Sequence, residues 1–352
     1  MNTIDTILCT YDMNQPDEAA SSIELAAKLL KQGGLVAFPT ETVYGLGGDA
    51  LDPSASMRIY AAKGRPSDNP LIVHIADKAD VWKLAEEVPE TAVMLMEAFW
   101  PGPLTIILKK KPIVPDATTG GLSTVAIRMP SHPAAMEMIR RSGVYVAAPS
   151  ANRSGRPSPT TAEHVREDLF GAIDMILDGG PVGIGIESTI VDLTGETPMI
   201  LRPGYISLEM VSELIPGVME NRGQVGEDEI PKAPGMKYRH YAPKAPLTIV
   251  DGERTAVAAK INELAAGNVD QGKRCGIICA GENRDLYEEG YIRVPGESSD
   301  EDEIARNIYA ILRDMDAEGV DVIYSEAFDT PRLGDAIMNR IIKAAGHNIT
   351  KV

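Results

Sequence analysis

The 352-residue chain has few cysteines, no long apolar run and no surplus of positive charge. Three cysteines are too few, and odd in number, for a disulfide framework, and no Cys/His cluster has the spacing of a zinc site. Cys275 and Cys279 lie in the apolar stretch RCGIIC. Strand period puts both on one face, and they read as reduced core thiols. No apolar run approaches the roughly 20 residues that cross a bilayer. Met1 to Glu18 lacks the basic start and apolar core of a secretory signal, so the expectation is no membrane contact and a cytoplasmic location. Lysine and arginine number 34 against 51 aspartates and glutamates, a net charge of −17. A firm grip on nucleic acid draws on a basic face. The charge therefore points to a small anionic ligand held locally, not to strong direct binding of RNA. Also missing are GxxxxGK[ST], GxSxG and a carboxylate pair at glycosidase spacing, which excludes a P-loop and leaves no obvious nucleophile.

What remains is an ordinary globular composition, 44% hydrophobic and 24% charged, on a chain long enough for about two domains. Apolar residues at helical spacing over Ala19 to Lys31 stop at Gly33-Gly34, a good helix end. Leu35 to Phe38 reads as a buried strand, Ser54 to Ala62 as a helix and Leu71 to Ile75 as a strand. Ala79 to Phe99 reads as a helix broken near Pro89. Strands follow at Leu104 to Leu108, Val125 to Met129, Val144 to Ala148, Ile173 to Leu177, Thr189 to Leu193 and Met199 to Arg202, with helices at Pro133 to Arg141 and Thr160 to Leu169. Ile215 to Pro246 is rich in glycine, proline and charge and reads as a linker. Loops of that length are functional or disordered. Beyond it, strands (Leu247 to Val250, Arg274 to Cys279, Tyr291 to Val294, Val320 to Tyr324) alternate with helices (Ala256 to Ala266, Ile304 to Glu318, Ala336 to Ala345). That alternation predicts a small parallel α/β sheet. The acidic run Asp300 to Glu303 suits the N-terminal dipole of a solvated helix.

Polar clusters follow several apolar strands, and ligands in open α/β sheets gather at strand ends. PTETVYGLG (Pro39 to Gly47) carries Thr40, Glu41, Thr42 and Tyr44, and alone reads as a capped turn. AKGRPSDNPLIVHI (Ala62 to Ile75) sets Lys63 and Arg65 about a glycine, an arrangement that suits a polyphosphate or a solvated basic turn. Asn69 precedes the strand, and a lone strand histidine such as His74 reads as a core residue. Arg128 ends the apolar run of STVAIRMP, and a buried arginine is expensive without an anionic partner, structural or substrate. AAPSANRSGRPSPT (Ala147 to Thr160) offers Ser150, Asn152, Ser154, Arg156 and Ser158, a plausible phosphate or ribose cradle. DGGPVGIGIESTIVDL leads into a strand instead of a helix, against a dinucleotide fingerprint. APGMKYRHYAP (Ala233 to Pro243) packs two cations, two tyrosines and His240 between prolines, and a lid over a site accounts for it better than a plain linker.

In order and spacing these segments resemble the Sua5/YrdC/YwlC family of threonylcarbamoyl-AMP synthases over nearly the whole chain. The family's KxR and SxN elements appear as Lys63, Arg65, Ser150 and Asn152, and these four would be catalytic. Where many relatives begin the lid motif with serine, this chain has Ala233. The resemblance implies an α/β fold: a YrdC-like twisted mixed sheet with flanking helices over residues 14–205, a linker and lid over 206–245, and a smaller Rossmann-like Sua5 domain over 246–352. It implies that ATP, L-threonine and bicarbonate or CO2 give threonylcarbamoyl-AMP and pyrophosphate. That product would supply proteins that transfer the threonylcarbamoyl group to tRNA. Arg65, Asn69, Thr124, Ser150, Asn152, Ser158, Arg202, His240 and Tyr241 would bind ATP, with Lys63 beside them. Thr42, His74, Arg128 and Ser188 would bind threonine. Mg2+ would arrive with ATP, held through phosphate oxygens and by no protein cage. An RNA-binding module, a carbamoyl-transfer relative and a nucleotide sensor are the rival readings.

Overall fold

A computed structural model describes residues 4–221, 231–234, 236 and 240–352. Lys237, Tyr238 and Arg239 of the lid motif lie outside the described residues. The chain divides into two compact units.

The first unit takes in most of the chain up to residue 237. Its elements are β1 (Ile7–Thr10), α1 (Pro16–Lys31), β2 (Val36–Phe38), β3 (Gly45–Asp49), α2 (Pro53–Lys63), β4 (Ile72–His74), α3 (Val81–Leu84), α4 (Glu90–Phe99), β5 (Leu104–Lys109), α5 (Asp116–Thr119), β6 (Thr124–Arg128), α6 (Pro133–Ser142), β7 (Val146–Ala148), α7 (Ala162–Leu169), β8 (Met175–Asp178), β9 (Thr189–Asp192), β10 (Met199–Arg202), α8 (Leu208–Leu214) and β11 (Met219–Glu220). The strands form one mixed sheet in the order β1-β8-β2-β3-β7-β4-β6-β5-β9-β10-β11. β4 runs parallel to β6 and antiparallel to β7, while β5 runs antiparallel to β6 and parallel to β9.

Side chains alternate between the two faces of each strand, which sorts the apolar residues into separate cores. Val73, Ile106 and Ile127 point into the larger core with Leu95 and Met96 of α4, Ile59 of α2 and Val211 of α8. On the other face, Val36, Phe38, Val146 and Ala148 meet Ile23 and Leu30 of α1 and Met138 and Ile139 of α6. Farther along, that face continues as Ile72, Ala126, Ile107, Ile190 and Leu201. The described residues packed there are not a helix but Ala233 and Met236, at the start of the lid motif. The sheet therefore keeps an apolar floor that irregular chain covers.

The second unit contains β12 (Leu247–Asp251), α9 (Arg254–Val269), β13 (Cys275–Ile278), β14 (Tyr291–Arg293), α10 (Glu301–Glu318), β15 (Val322–Glu326), α11 (Gly334–Ala344) and β16 (Ile349–Lys351). Gly155–Pro157 and Ile184–Ile186 cluster with it. Its strand pairs are all parallel, in the order β14-β13-β15-β12-β16. This is the expected small parallel α/β sheet, although β15 separates the first two strands, which are neighbours in the dinucleotide-binding order. Cys275 and Cys279 share one core patch with Ile261 of α9 and are unpaired thiols. Asp300 caps α10 by accepting from the Glu303 N–H at 2.9 Å.

Several features depart from the sequence reading. The expected linker over 206–245 contains helix α8 and, at Met219–Glu220, a sheet strand paired with β10. Arg65, read with Lys63 as suiting a polyphosphate or a solvated basic turn, is half-buried and its guanidinium donates to the Asn69 and Pro70 carbonyls. GLGGD forms strand β3 despite the low strand propensity of glycine. Packing requires it: a Cβ on Gly47 would meet Val146 at 2.7 Å and the Phe38 ring at 2.9 Å.

Candidate active site

Register gathers the strand residues. His74 pairs with Arg128, Arg128 with Thr105, and Thr105 with Ile190, which in turn faces Arg202. Period two then places Ile72 and His74, Thr124, Ala126 and Arg128, and Thr105 and Ile107 on the same face. The result is the apolar floor with polar groups at both ends.

At one end stand Arg128, His74, Thr105, Ser188 and Arg202, all buried. Ser188 and Thr105 share a hydroxyl–hydroxyl hydrogen bond of 2.7 Å. Arg202 donates to the Ser188 carbonyl at 3.1 Å and to its hydroxyl at 3.2 Å. His74 places Nδ1 3.1 Å from the Ile72 carbonyl. Burial first, and the Arg128 charge second, push its pKa down to about 3, so the ring is neutral at pH 7. Arg128 is 4% exposed, and its Nη2 lies 2.7 Å from Glu41 Oε1. The contact is close but poorly aligned: Arg128 Nε and Nη2 and Glu41 Oε1 are buried without a hydrogen-bond partner. Buried charges without aligned partners are rare and call for an explanation. A guanidinium edge of this kind matches a carboxylate.

At the other end, Thr124 opens β6, four residues before Arg128, or about 13 Å along the strand. Asn69 and Ser150 lie two or three residues outside the paired positions Ile72 and Ala148. Asn69 is buried, with Oδ1 unpartnered. Ser150 donates its hydroxyl proton to Asn152 Oδ1 at 2.6 Å. Lys63 is the last residue of α2, where Gly64 in the left-handed conformation (φ 61°) ends the helix. Its buried ammonium donates to the carbonyls of Ser150 and Asn152 and reaches Asn152 Oδ1 at 3.3 Å. Lys63 thus ties the KxR and SxN segments together. Ser158 is fully buried and donates to Glu187 Oε1 at 2.6 Å.

Thr42, also fully buried, sits in the turn between β2 and β3. Thr40 Oγ1 organises that turn by accepting from the N–H groups of Thr42 and Val43 at 3.1 and 3.2 Å. His240 and Tyr241 fall in the second unit, where the Tyr241 ring lies 5.2 Å from that of Tyr309. Tyr241 has φ 63°, an uncommon conformation for a residue with a Cβ. Sequence reasoning gave no role to Glu41, Thr105 or Glu187. Glu41 was visible as a carboxylate directly after an apolar strand, and Glu187 as the neighbour of Ser188. Thr105 looked like any strand threonine.

The Sua5/YciO/YrdC family, described as "Telomere recombination", matches residues 28–204, and the family described as "Threonylcarbamoyl-AMP synthase, C-terminal domain" matches residues 206–346. The threonylcarbamoyl-AMP synthase of Pyrococcus abyssi is 50% identical over 94% of this chain and 96% of its own length. This chain belongs to the Sua5 family of threonylcarbamoyl-AMP synthases. A crystal structure of P. abyssi Sua5 complexed with L-threonine superimposes with a TM-score of 0.91 at 47% identity, covering 99% of each chain. A P. abyssi Sua5 variant with an adjacent histidine–tyrosine pair changed to alanine gives a TM-score of 0.92 at 46% identity, covering 99% of this chain and 98% of that one. Both units of the Sua5 architecture are thus present here.

Proposed function

We propose that this chain condenses L-threonine, bicarbonate or CO2, and ATP into threonylcarbamoyl-AMP, releasing pyrophosphate. It is an enzyme of the nucleotidyltransferase type. The observation that carries the reading is the buried Arg128 edge at the end of an apolar floor, in a chain this similar to a Sua5 crystallised with L-threonine.

In this reading Arg128 takes the threonine carboxylate, while Thr42, neutral His74 and Ser188 line the amino-acid pocket. A neutral imidazole there adds no second positive charge beside Arg128. Arg65, Asn69, Thr124, Ser150, Asn152, Ser158 and Arg202 hold the nucleotide, and Lys63 fixes the loop that carries Ser150 and Asn152. The amine forms a carbamate, and a carbamate oxygen attacks the α-phosphorus in line with departing pyrophosphate. Such a transfer needs positioning and charge neutralisation, not a protein nucleophile. That accounts for a site rich in donors and without an activated serine or cysteine.

Among the described residues no cluster of His, Cys, Asp or Glu can hold a metal ion. Lys63, whose ammonium reaches the Ser150 and Asn152 carbonyls, and Arg65 two residues on are cations that fit phosphate oxygens. In this reading Mg2+ arrives with the nucleotide, and when bound it would neutralise phosphate charge. The chain has one His–Tyr dipeptide, His240–Tyr241. We assign it to closure around ATP. Closure excludes the water that would hydrolyse the mixed anhydride. We place the enzyme in the cytoplasm, passing its product to tRNA-modifying proteins. No described helix is long and apolar enough to cross a membrane.

The test is pyrophosphate release from ATP with Mg2+ and bicarbonate across the twenty amino acids. Release that requires both threonine and bicarbonate is expected. Release indifferent to the amino acid would reduce the chain to a nucleotide hydrolase and overturn the reading.

A further inference from the structure

The proposed chemistry uses only half of the Glu41–Arg128 pair, giving Arg128 the threonine carboxylate and leaving Glu41 without a role. Glu41 and Arg128 come from distant parts of the sheet, and their side chains are 13% and 5% exposed. Burying two charges is costly unless good hydrogen bonds repay it. Here the repayment is incomplete: at 2.7 Å neither Glu41 Oε1 nor Arg128 Nη2 has an aligned partner, and Arg128 Nε also lacks one. The geometry is nonetheless held from both sides. Glu41 Oε2 accepts from the Ser131 N–H at 3.1 Å, and the Thr40-centred turn fixes the backbone next to it. Arg128 is the last residue of a paired strand. The protein thus keeps a carboxylate and a guanidinium side by side, with their facing atoms unsatisfied.

An α-amino acid carries the complementary arrangement, an ammonium and a carboxylate on one carbon. Resting on the synthase reading above, we propose that Glu41 binds the α-ammonium of the incoming amino acid while Arg128 binds its α-carboxylate. The two then form a zwitterion clamp whose halves neutralise each other when the site is empty. Each half alone is a poor site. Arg128 would accept any carboxylate, whereas Glu41 admits only one that bears an adjacent cation. The amino group is the atom that must be carbamoylated, so a 2-amino acid is selected over the many carboxylates lacking that nitrogen. Specificity of this kind rests on a group left unpaired by the wrong ligand.

The test compares two ligands by calorimetry on the full chain: L-threonine and (R)-3-hydroxybutanoate, which keeps the carboxylate and hydroxyl but lacks the amine. The unaltered protein should prefer threonine. Glu41→Gln should cut that preference at least tenfold by weakening threonine, with (R)-3-hydroxybutanoate bound as well as before or better because its rival for Arg128 is gone. Equal weakening of both ligands would make Glu41 a mere support for Arg128, and an unchanged ratio would remove it from recognition; either overturns the clamp alone. Failure of the unaltered chain to bind threonine while it binds ATP overturns the synthase reading, and the clamp with it. If Glu41→Gln does not fold, Glu41→Asp decides. Withdrawing the carboxylate by one methylene should weaken threonine several-fold and spare the desamino acid, and parallel loss of both would refute the proposal.

Discussion

Replacing Arg128 by lysine tests the amino-acid end of the site with the least collateral damage. Alanine would leave the buried Glu41 carboxylate beside an empty space, and removing one member of a buried pair costs about 3–5 kcal/mol. Its effect on activity would then be mixed with unfolding. Lysine keeps the positive charge near Glu41 but replaces a planar fork by a single ammonium. The Nε–Nη2 edge offers two parallel hydrogen bonds to a carboxylate, and lysine can retain one. Losing one hydrogen bond to a charged group costs about 2 kcal/mol, or about 30-fold in affinity.

That loss should appear in the KM for threonine, with kcat little changed. The carboxylate keeps its charge throughout the reaction, so its binding is equal in ground and transition states. Affinity for ATP should move far less: of the nucleotide residues Arg202 stands at the Arg128 end, but Thr124 and the Ser150 loop stand about 13 Å away along β6. The assay is steady-state pyrophosphate release with threonine and ATP varied in turn, backed by calorimetry with ATP alone. A threonine KM within threefold of the unaltered value would refute the carboxylate assignment. An equal loss of ATP affinity would instead make Arg128 a structural arginine.

Arg65→Ala should lower kcat/KM for ATP at least a hundredfold, from about 3 kcal/mol of lost phosphate stabilisation. Its melting temperature should fall only slightly, since the side chain gives up carbonyl bonds within its own loop; near-normal turnover would sink the role. The His74 pKa of about 3 lies below the usual 6.5, so the unfolded chain takes up the proton first and stability falls as pH drops from 6.5 towards 3. At pH 5 this amounts to about 2 kcal/mol, and denaturant titrations should show His74→Gln losing less stability between pH 7 and pH 5 than the unaltered chain. Gly204→Ala should destabilise by more than about 2 kcal/mol, because the added Cβ would lie 2.5 Å from the Thr189 nitrogen and 2.8 Å from the Glu187 carbonyl. Both are backbone atoms that cannot rotate away, and an unaltered melting temperature would show that the turn before Ile206 is looser than this packing.

The sequence was most legible where local rules and packing agree. Helices such as α1 and α10 combine amphipathic spacing with end signals, and their positions follow from those. Strands β9 and β10 stand out as apolar runs. Missed elements depend on distant partners. β3 is a strand because its glycines fit against Phe38 and Val146, and nothing within GLGGD announces that ring. β11 is two residues long and exists through its pairing with β10. The edge strands β1 and β16 likewise owe their state to a neighbour, β8 or β12.

The site followed the same division. Motifs located the loops, but register decided which side chains meet. His74 reads as a core histidine in LIVHI, and it is buried. Pairing with Arg128 is what sets this buried, neutral imidazole beside a guanidinium. Lys63 and Arg65 read alike, as two cations about a glycine. The end of α2 separates them: Lys63 points its ammonium at the carbonyls of a second strand end, while Arg65 folds back over its own loop. Polyphosphate affinity can be encoded by residue type, since any cation attracts it. Division of labour between adjacent cations cannot, because it depends on where a helix stops and on which carbonyls the sheet leaves unpaired. The same holds for Glu41. In PTETVYGLG it is a solvated turn residue by every local rule, and only the β2–β3 turn and the end of β6 bring it to a buried arginine.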